Sequence, residues 1–267
     1  MKKKRPIYIS YATQKGGAGK TGFTILTASL LHYKMGYNVA VIDCDFPQNS
    51  IVKMRERDVA QVKIDDYFKG MAFKQFSDIQ KKMYPVVGCG VTNALQKAEK
   101  LIEESEVEFD VILFDLPGTV NTKGAFNLLA QMDYIFCPLV ADRVVVTSSV
   151  DFILIIKENV VDCGISNIKQ IYAFWTFVDV REKTRIYDLY KVLLDKRSIP
   201  ILSTKIPYLV RFRKEISDTL DVFRCTIFPV APQLLKGSNI DVFVEEVCKK
   251  IFVEEVCKKI KEKNNGE

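Results

Sequence analysis

The sequence has few of the residues that metal and redox centres draw on. It holds one histidine, His32, and one tryptophan, Trp175, in 267 residues. Its seven cysteines, Cys44, Cys89, Cys137, Cys163, Cys225, Cys248 and Cys257, are scattered, and none stands in a C-x-x-C. Zinc sites need closely spaced thiolate and imidazole ligands, so these are read as reduced core or surface thiols. His32 falls on a predicted helix and is read as structural. No apolar run approaches the ~20 residues of a membrane helix. The N-terminal MKKKRP leads into a strand-like segment without a signal peptide's apolar region or cleavage site. A cytoplasmic protein is expected. No Gly-, Ser- or Pro-rich linker divides the chain, so one domain is expected over 1–242, followed by a C-terminal helical segment over 243–267.

Hydrophobic residues make up 48% of the chain, enough for a sizeable core, and the net charge is +6. That excess favours a polyanionic partner only weakly. Basic residues gather at 2–5, at 181–185, and around Lys205, Arg211, Arg213 and Lys214.

Apolar runs and helical spacings alternate. Strands are predicted at 7–13, 38–43, 84–90, 111–115, 134–140, 168–178 and 199–206, with a further short one at 226–230. Helices are predicted at 20–35, within 50–82, and at 92–106, 144–160 and 181–197. Alternating strands and helices indicate an α/β fold with a doubly wound, mostly parallel sheet and helices on both faces.

The C-terminus repeats itself. FVEEVCKKI occupies 243–251 and returns unchanged at 252–260. A shift of nine residues turns a helical stripe by roughly 180°. The stripe Phe243, Val244, Val247, Cys248 and Ile251 therefore faces away from its copy, and one straight helix cannot bury both. The first copy is expected to dock on the body.

The most informative stretch is QKGGAGKT at 14–21, which follows the apolar run 7–12. Gly16, Gly17 and Gly19 allow backbone conformations closed to other residues, with N–H groups turned inward. A helical pattern starts at Lys20. Strand, glycine turn and helix N-terminus make a phosphate cradle. The common GxxxxGK[ST] pattern would place its first glycine at Gln14, and Lys15 stands instead directly before the glycines. Lys20 is placed to reach β- and γ-phosphates and Thr21 to offer a hydroxyl to Mg²⁺. Asp115 ends a buried strand on the edge where such sheets bind ligands. Asp43 and Asp45 end another, and two residues apart in extended chain point the same way.

KGGAGKT, DCDFPQ and FDVILFDLPGT, in this order and at these spacings, resemble the deviant Walker A ATPases of the ParA/Soj/MinD family, and most closely its TraA subgroup from conjugative elements. The resemblance covers most of the chain and is densest over 7–50 and 109–140. It implies a P-loop NTPase fold of the SIMIBI type and ATP bound by Lys15, Gly16, Gly17, Ala18, Gly19, Lys20, Thr21 and Gly22. It implies Mg²⁺ near Thr21, Asp43 and Asp115, with Asp45 orienting the attacking water. Lys15 matches the signature lysine that reaches a partner's phosphates in an ATP-sandwich homodimer. Slow hydrolysis stimulated by a ParB-like or other partner, and non-specific DNA binding in the ATP state, are implied as well. Arg211, Arg213 and Lys214 are the candidate DNA contacts, since sequence-independent binding requires only phosphate contacts. The expected location is the cytoplasm, with association to the nucleoid.

The chain departs from the family pattern in two places. Gly22 stands where a second hydroxyl residue usually follows the P-loop lysine, and Phe46 is inserted into the acid-x-acid-Pro-Gln run. Two alternatives share the scaffold. A MinD-like membrane-bound positioning ATPase would need a basic amphipathic C-terminal helix, whereas this tail mixes Lys258, Lys259, Lys261 and Lys263 with Glu254, Glu255 and Glu262. An iron–sulfur reductase like the nitrogenase iron protein would need a cysteine shortly after Asp115, and 116–124 has none.

Overall fold

Six short strands line up in parallel in the computed structural model, which describes residues 3–118, 122–179, 181, 185–210 and 224–252. They are β1 (Ile7–Tyr11), β2 (Val39–Asp43), β3 (Val86–Gly88), β4 (Val111–Asp115), β5 (Tyr134–Val140) and β6 (Gln170–Thr176), in spatial order β3-β2-β4-β1-β5-β6. Parallel strands need crossover connections, and helices supply them on both faces. These are α1 (Lys20–Tyr33), α2 (Ser50–Ile64), α3 (Asp66–Ile79), α4 (Ala94–Glu104), α5 (Lys123–Leu129), α6 (Arg143–Ile156), α7 (Ile186–Asp195), α8 (Pro232–Leu235) and α9 (Ile240–Ile251).

The strands are apolar on both sides because both sides are covered. Tyr8, Ala40, Ile42, Ile112, Phe114 and Ile135 enter one core with residues of α4, α5 and α6. Their neighbours Ile9, Tyr11, Val39, Val41, Val111 and Leu113 enter a second core with α1 and α9. The period of two that puts successive side chains on opposite faces accounts for this division. Register then sets the site: Asp43 of β2 pairs with Asp115 of β4, so both acids reach the same carboxyl-end edge.

α1 is enclosed on every side, with all but one of its residues buried. α9 closes its outer side through Phe243, Val244, Val247 and Ile251. The first FVEEVCKKI copy therefore docks as expected. Phe243 meets Phe174 at 4.7 Å and Phe23 at 5.6 Å between ring centroids. Phe252 opens the second copy, yet it is buried and its ring stacks on Tyr37 at 4.3 Å. The second copy's opposite stripe lies outside the described residues.

Several elements differ from expectation. The expected strand at 199–206 is broken into bridges, Ala173 to Ile201 and Val178 to Pro207. Between the bridges, Ser203 N and Thr204 N donate to the Glu246 carboxylate of α9 at 2.8 and 2.9 Å instead of to β6, so the ladder is interrupted there. The expected strand at 226–230 is a bent, buried loop containing Pro229. Its carbonyls are satisfied by side chains instead: Tyr33 OH donates to Thr226 O at 2.9 Å, Gln75 Nε2 to Ile227 O at 2.8 Å, and Ser29 Oγ lies 3.0 Å from Phe228 O. The helix expected over 181–197 is shorter, at Ile186–Asp195, and α5 was not anticipated at all. The run 50–82 divides at Asp65, whose carboxylate caps α3 by accepting Tyr67 N and Phe68 N. The helix expected over 144–160 is α6, with a π-helical turn at Lys157–Val161.

Candidate functional site

The loop between β1 and α1 depends on two glycines. Gly17 at φ 80° and Gly19 at φ 88° lie in the left-handed region, which is costly for any residue with a Cβ. Gly19 immediately precedes α1, no side chain caps that helix, and its first turn holds no acid. A helix start carries unsatisfied N–H groups and about half a positive charge. Here nothing from the helix itself answers them.

Across from this helix start, Asp115 is fully buried at the end of β4. Thr21 Oγ1 donates to its Oδ2 at 2.8 Å, and Thr24 Oγ1 lies 3.2 Å from its Oδ1. Burial pushes the Asp115 carboxyl up to about 7, with Asp43 adding to the rise and the Thr21 and Thr24 hydrogen bonds and Lys20 opposing it. Lys20 is itself buried, and its Nζ donates to Gly118 O at 3.2 Å. Desolvation lowers its pKa, and the charges of Asp115 and Asp45 hold it back. Gly118 is drawn in close: a Cβ on it would sit 4.0 Å from Gly16 Cα.

Asp43 and Asp45 have different surroundings. Asp43 is fully buried, and its Oδ2 accepts Ile51 N at 2.8 Å and Val52 N at 3.2 Å. It thus caps α2 from outside the helix, favourable placement for a carboxylate. Its Oδ1 has a longer bond from Asp45 N, 3.3 Å. Asp45 is half-buried and bridges backbone to backbone with Gly90. Burial and the charge of Asp43 raise its pKa, while Lys20 lowers it. Both Asp45 and Asp115 therefore act electrostatically on Lys20. Phe46, the inserted residue, stands out into solvent at 66% exposure and precedes a cis Pro47.

Of the remaining loop residues, Lys15 is half-buried, Gly16 and Gly17 are exposed and Ala18 is buried. Gly22 is buried beside the side chain of Arg224. Arg211, Arg213 and Lys214 lie outside the described residues. The sequence reading missed Thr24 and the Gly118 carbonyl. Thr24 had a visible signal, since three residues after Thr21 is the same helix face.

The sequence over residues 7–191 matches the family model described as ATPase MipZ. The chain belongs to this family. It is an ATPase of the ParA/MinD kind, as the glycine loop and strand-end acids indicated, and the match does not extend to the TraA subgroup. Solved structures share the fold. A plasmid partition protein from Borrelia burgdorferi B31 bound to AMPPNP is 18% identical, with TM-score 0.56, covering 94% of this chain and 100% of that one. The ParA of pNOB8 bound to nonspecific DNA is 18% identical, with TM-score 0.56, covering 92% and 99%. The MinC:MinD cell division protein complex of Aquifex aeolicus gives 15% identity and TM-score 0.58, covering 92% and 95%. These confirm the parallel α/β P-loop architecture. No curated protein matches the sequence. No helix among the described residues is long and apolar enough to cross a membrane.

Proposed function

We propose that this ATPase is a dimerising, Mg²⁺-dependent switch that binds DNA without sequence preference in its ATP state and serves partition or conjugal transfer of a plasmid or other mobile element. The observation that carries the proposal is the cluster of Lys20, Thr21 and Asp115 beneath an uncapped helix start. A helix N-terminus rich in free N–H groups favours a phosphate, and Lys20 is placed to reach its outer oxygens. The Thr21 hydroxyl and the Asp115 carboxylate are hard oxygen donors of the kind Mg²⁺ takes. The Oδ1 of Asp43 is less committed than its Oδ2 and adds a third. Bound Mg²⁺ would supply neutralisation of the charge on the phosphate oxygens.

Within this reading Lys15, Gly16, Gly17, Ala18, Gly19 and Gly22 wrap the phosphates. Asp45 is close enough to Lys20 to affect its charge and orients the attacking water. Lys15, at the mouth of the loop, reaches a second subunit. The family places the chain among ATPases. The DNA-bound and plasmid-partition neighbours favour a DNA cargo over a membrane one, and a nucleoid-associated cytoplasmic location over a peripheral one. A ParB-like partner would stimulate hydrolysis.

Anisotropy of a labelled duplex of arbitrary sequence tests the DNA part. Binding should appear with ATP and Mg²⁺, fall steeply with added salt, and vanish with ADP. Changing Arg211, Arg213 and Lys214 together to Ala should remove it. Equal retention by that triple variant would refute the proposed DNA face.

A further inference from the structure

Two cysteines that the ATPase reading leaves unused meet beside the strand-end acids. β2 and β3 pair with Ile42 opposite Val87 and Asp43 opposite Gly88. Continued in the same register, two residues past Ile42 and Val87, the chain sets Cys44 opposite Cys89. Both thiols enter the same core, where Ile42 is buried and Val87 packs against it. Their side chains interact directly, and both are free thiols. We propose that Cys44 and Cys89 form a reversible redox site, closed to a disulfide by a peroxide, that switches off ATP turnover.

Backbone geometry suits the bond. Neighbouring strands run about 4.7–4.9 Å apart, within the Cα separations of about 4.4–6.8 Å that disulfides span. Hydrogen bonds fix both residues where the strands end. Cys44 N donates to Asp115 O and Cys89 N to Asp43 O, each at 2.9 Å. One residue further on, Asp45 and Gly90 form a bridge. The two thiols are therefore held face to face by the sheet itself.

Access to them is unequal. Cys89 is 8% exposed and Cys44 1%, and a Cβ on the adjoining Gly90 would meet nothing within 4 Å. A small oxidant therefore reaches Cys89 first. The Cys89 sulfur attacks the O–O bond of hydrogen peroxide, becomes a sulfenic acid and releases one water. The Cys44 sulfur then attacks that sulfur, the S–O bond breaks, a second water leaves and the disulfide forms. The two thiols give up two protons and two electrons, and the peroxide carries them away as water. An external thiol reverses the reaction by exchange.

The consequence follows from the place of Cys44 between Asp43 and Asp45. Successive side chains of an extended chain face opposite ways, so the bond forms on the core side and covers neither carboxylate. It does draw the two sulfurs to about 2.05 Å, and the backbone that carries Asp45 shifts with Cys44. Catalytic positioning is sensitive on this scale, since a misplacement of about 1 Å can cost about a hundredfold in rate. The effect on turnover rests on the reading of Asp45 as the group that orients water. Lys20 and Thr21 belong to α1, outside the linked segment, so nucleotide binding persists.

The test treats the full chain with hydrogen peroxide, blocks the remaining thiols by alkylation and maps its peptides without reduction, beside phosphate release and nucleotide titration. A Cys44–Cys89 cross-linked peptide should appear. Turnover should fall about tenfold or more, nucleotide affinity should stay within a fewfold, and dithiothreitol should restore turnover. Cys89→Ala should hydrolyse ATP at the parent rate before peroxide and keep that rate after it, and Cys89→Ser should behave alike. Absence of the cross-linked peptide while the exposed Cys163 is oxidised would overturn the site. A cross-linked chain with unchanged turnover would overturn the switch. Equal loss of turnover in the parent and in both Cys89 variants would place the effect at another residue and overturn it as well. A chain that cross-links but has no turnover even before peroxide would remove the reading of Asp45 and leave the thiol pair standing.

Discussion

Thr21 and Asp115 are joined by a 2.8 Å hydrogen bond from the first turn of α1 to the end of β4. That bond brings a hydroxyl and a carboxylate to one point, and burial lifts the carboxyl to about 7. An acid raised in the folded state stabilises the fold while protonated. Its contribution is complete below the ordinary carboxylate range near 4 and is lost as pH rises through about 7. Ligand-free stability should therefore decline between about pH 4 and pH 7 from this group, and Asp115→Asn should flatten that decline. Magnesium needs the ionised form, so Mg²⁺-dependent nucleotide affinity should rise with pH up to about 7 and then level off. Thermal melts and titrations across that pH range check both slopes.

Thr24 should tune the same carboxylate. It lies 3.2 Å from Asp115 Oδ1 and 3.1 Å from Lys20 O. Thr24→Val removes a donor to the ionised form and leaves the shape nearly unchanged. The pH midpoint of Mg²⁺-nucleotide binding should move upward, and affinity at pH 7 should fall several-fold, in line with ~1 kcal/mol for a hydrogen bond. An unchanged midpoint would mean that the hydroxyl serves only the helix backbone.

Phe243 should carry the docking of α9. It is fully buried against Phe23 and Phe174. Phe243→Ala should cost about 3–5 kcal/mol, whereas Val242→Ala, on the exposed side at 53% exposure, should stay within about 0.5 kcal/mol. Urea unfolding distinguishes the two.

Much of the sheet was legible because β1, β2, β4 and β5 are apolar runs buried on both faces, two of them ending in acids. The glycine loop and the acids at 43, 45 and 115 followed from the same pattern. The segment 199–206 was misread because its apolar residues suggest a strand, while Ser203 N and Thr204 N turn to the Glu246 carboxylate of α9, a long-range contact, and interrupt the ladder. The segment 226–230 is apolar for a different reason: Ile227 and Phe228 pack with Ala72 of α3. α5 is seven residues long, too short for periodicity to register. The divergence of Asp43 from Asp45 depends on where α2 begins, which the acids themselves do not encode. Arg224 beside Gly22 is a long-range contact, and neither local sequence announces it.

Lys15 should separate binding from switching. It is half-buried at the mouth of the loop. In the proposed dimer it acts across subunits, so Lys15→Ala should bind ATP within a fewfold of the parent and lose ATP hydrolysis. Lys20→Ala should lose nucleotide binding itself. Fluorescent-nucleotide titration beside a phosphate-release assay resolves the two effects.

Light scattering of the purified Asp45→Ala chain with ATP and Mg²⁺ tests the central claim most directly. The account predicts a dimer of twice the 30.5 kDa chain mass with ATP, and a monomer with ADP or after Lys15→Ala is added. A chain that stays monomeric with ATP and Mg²⁺ bound would contradict it.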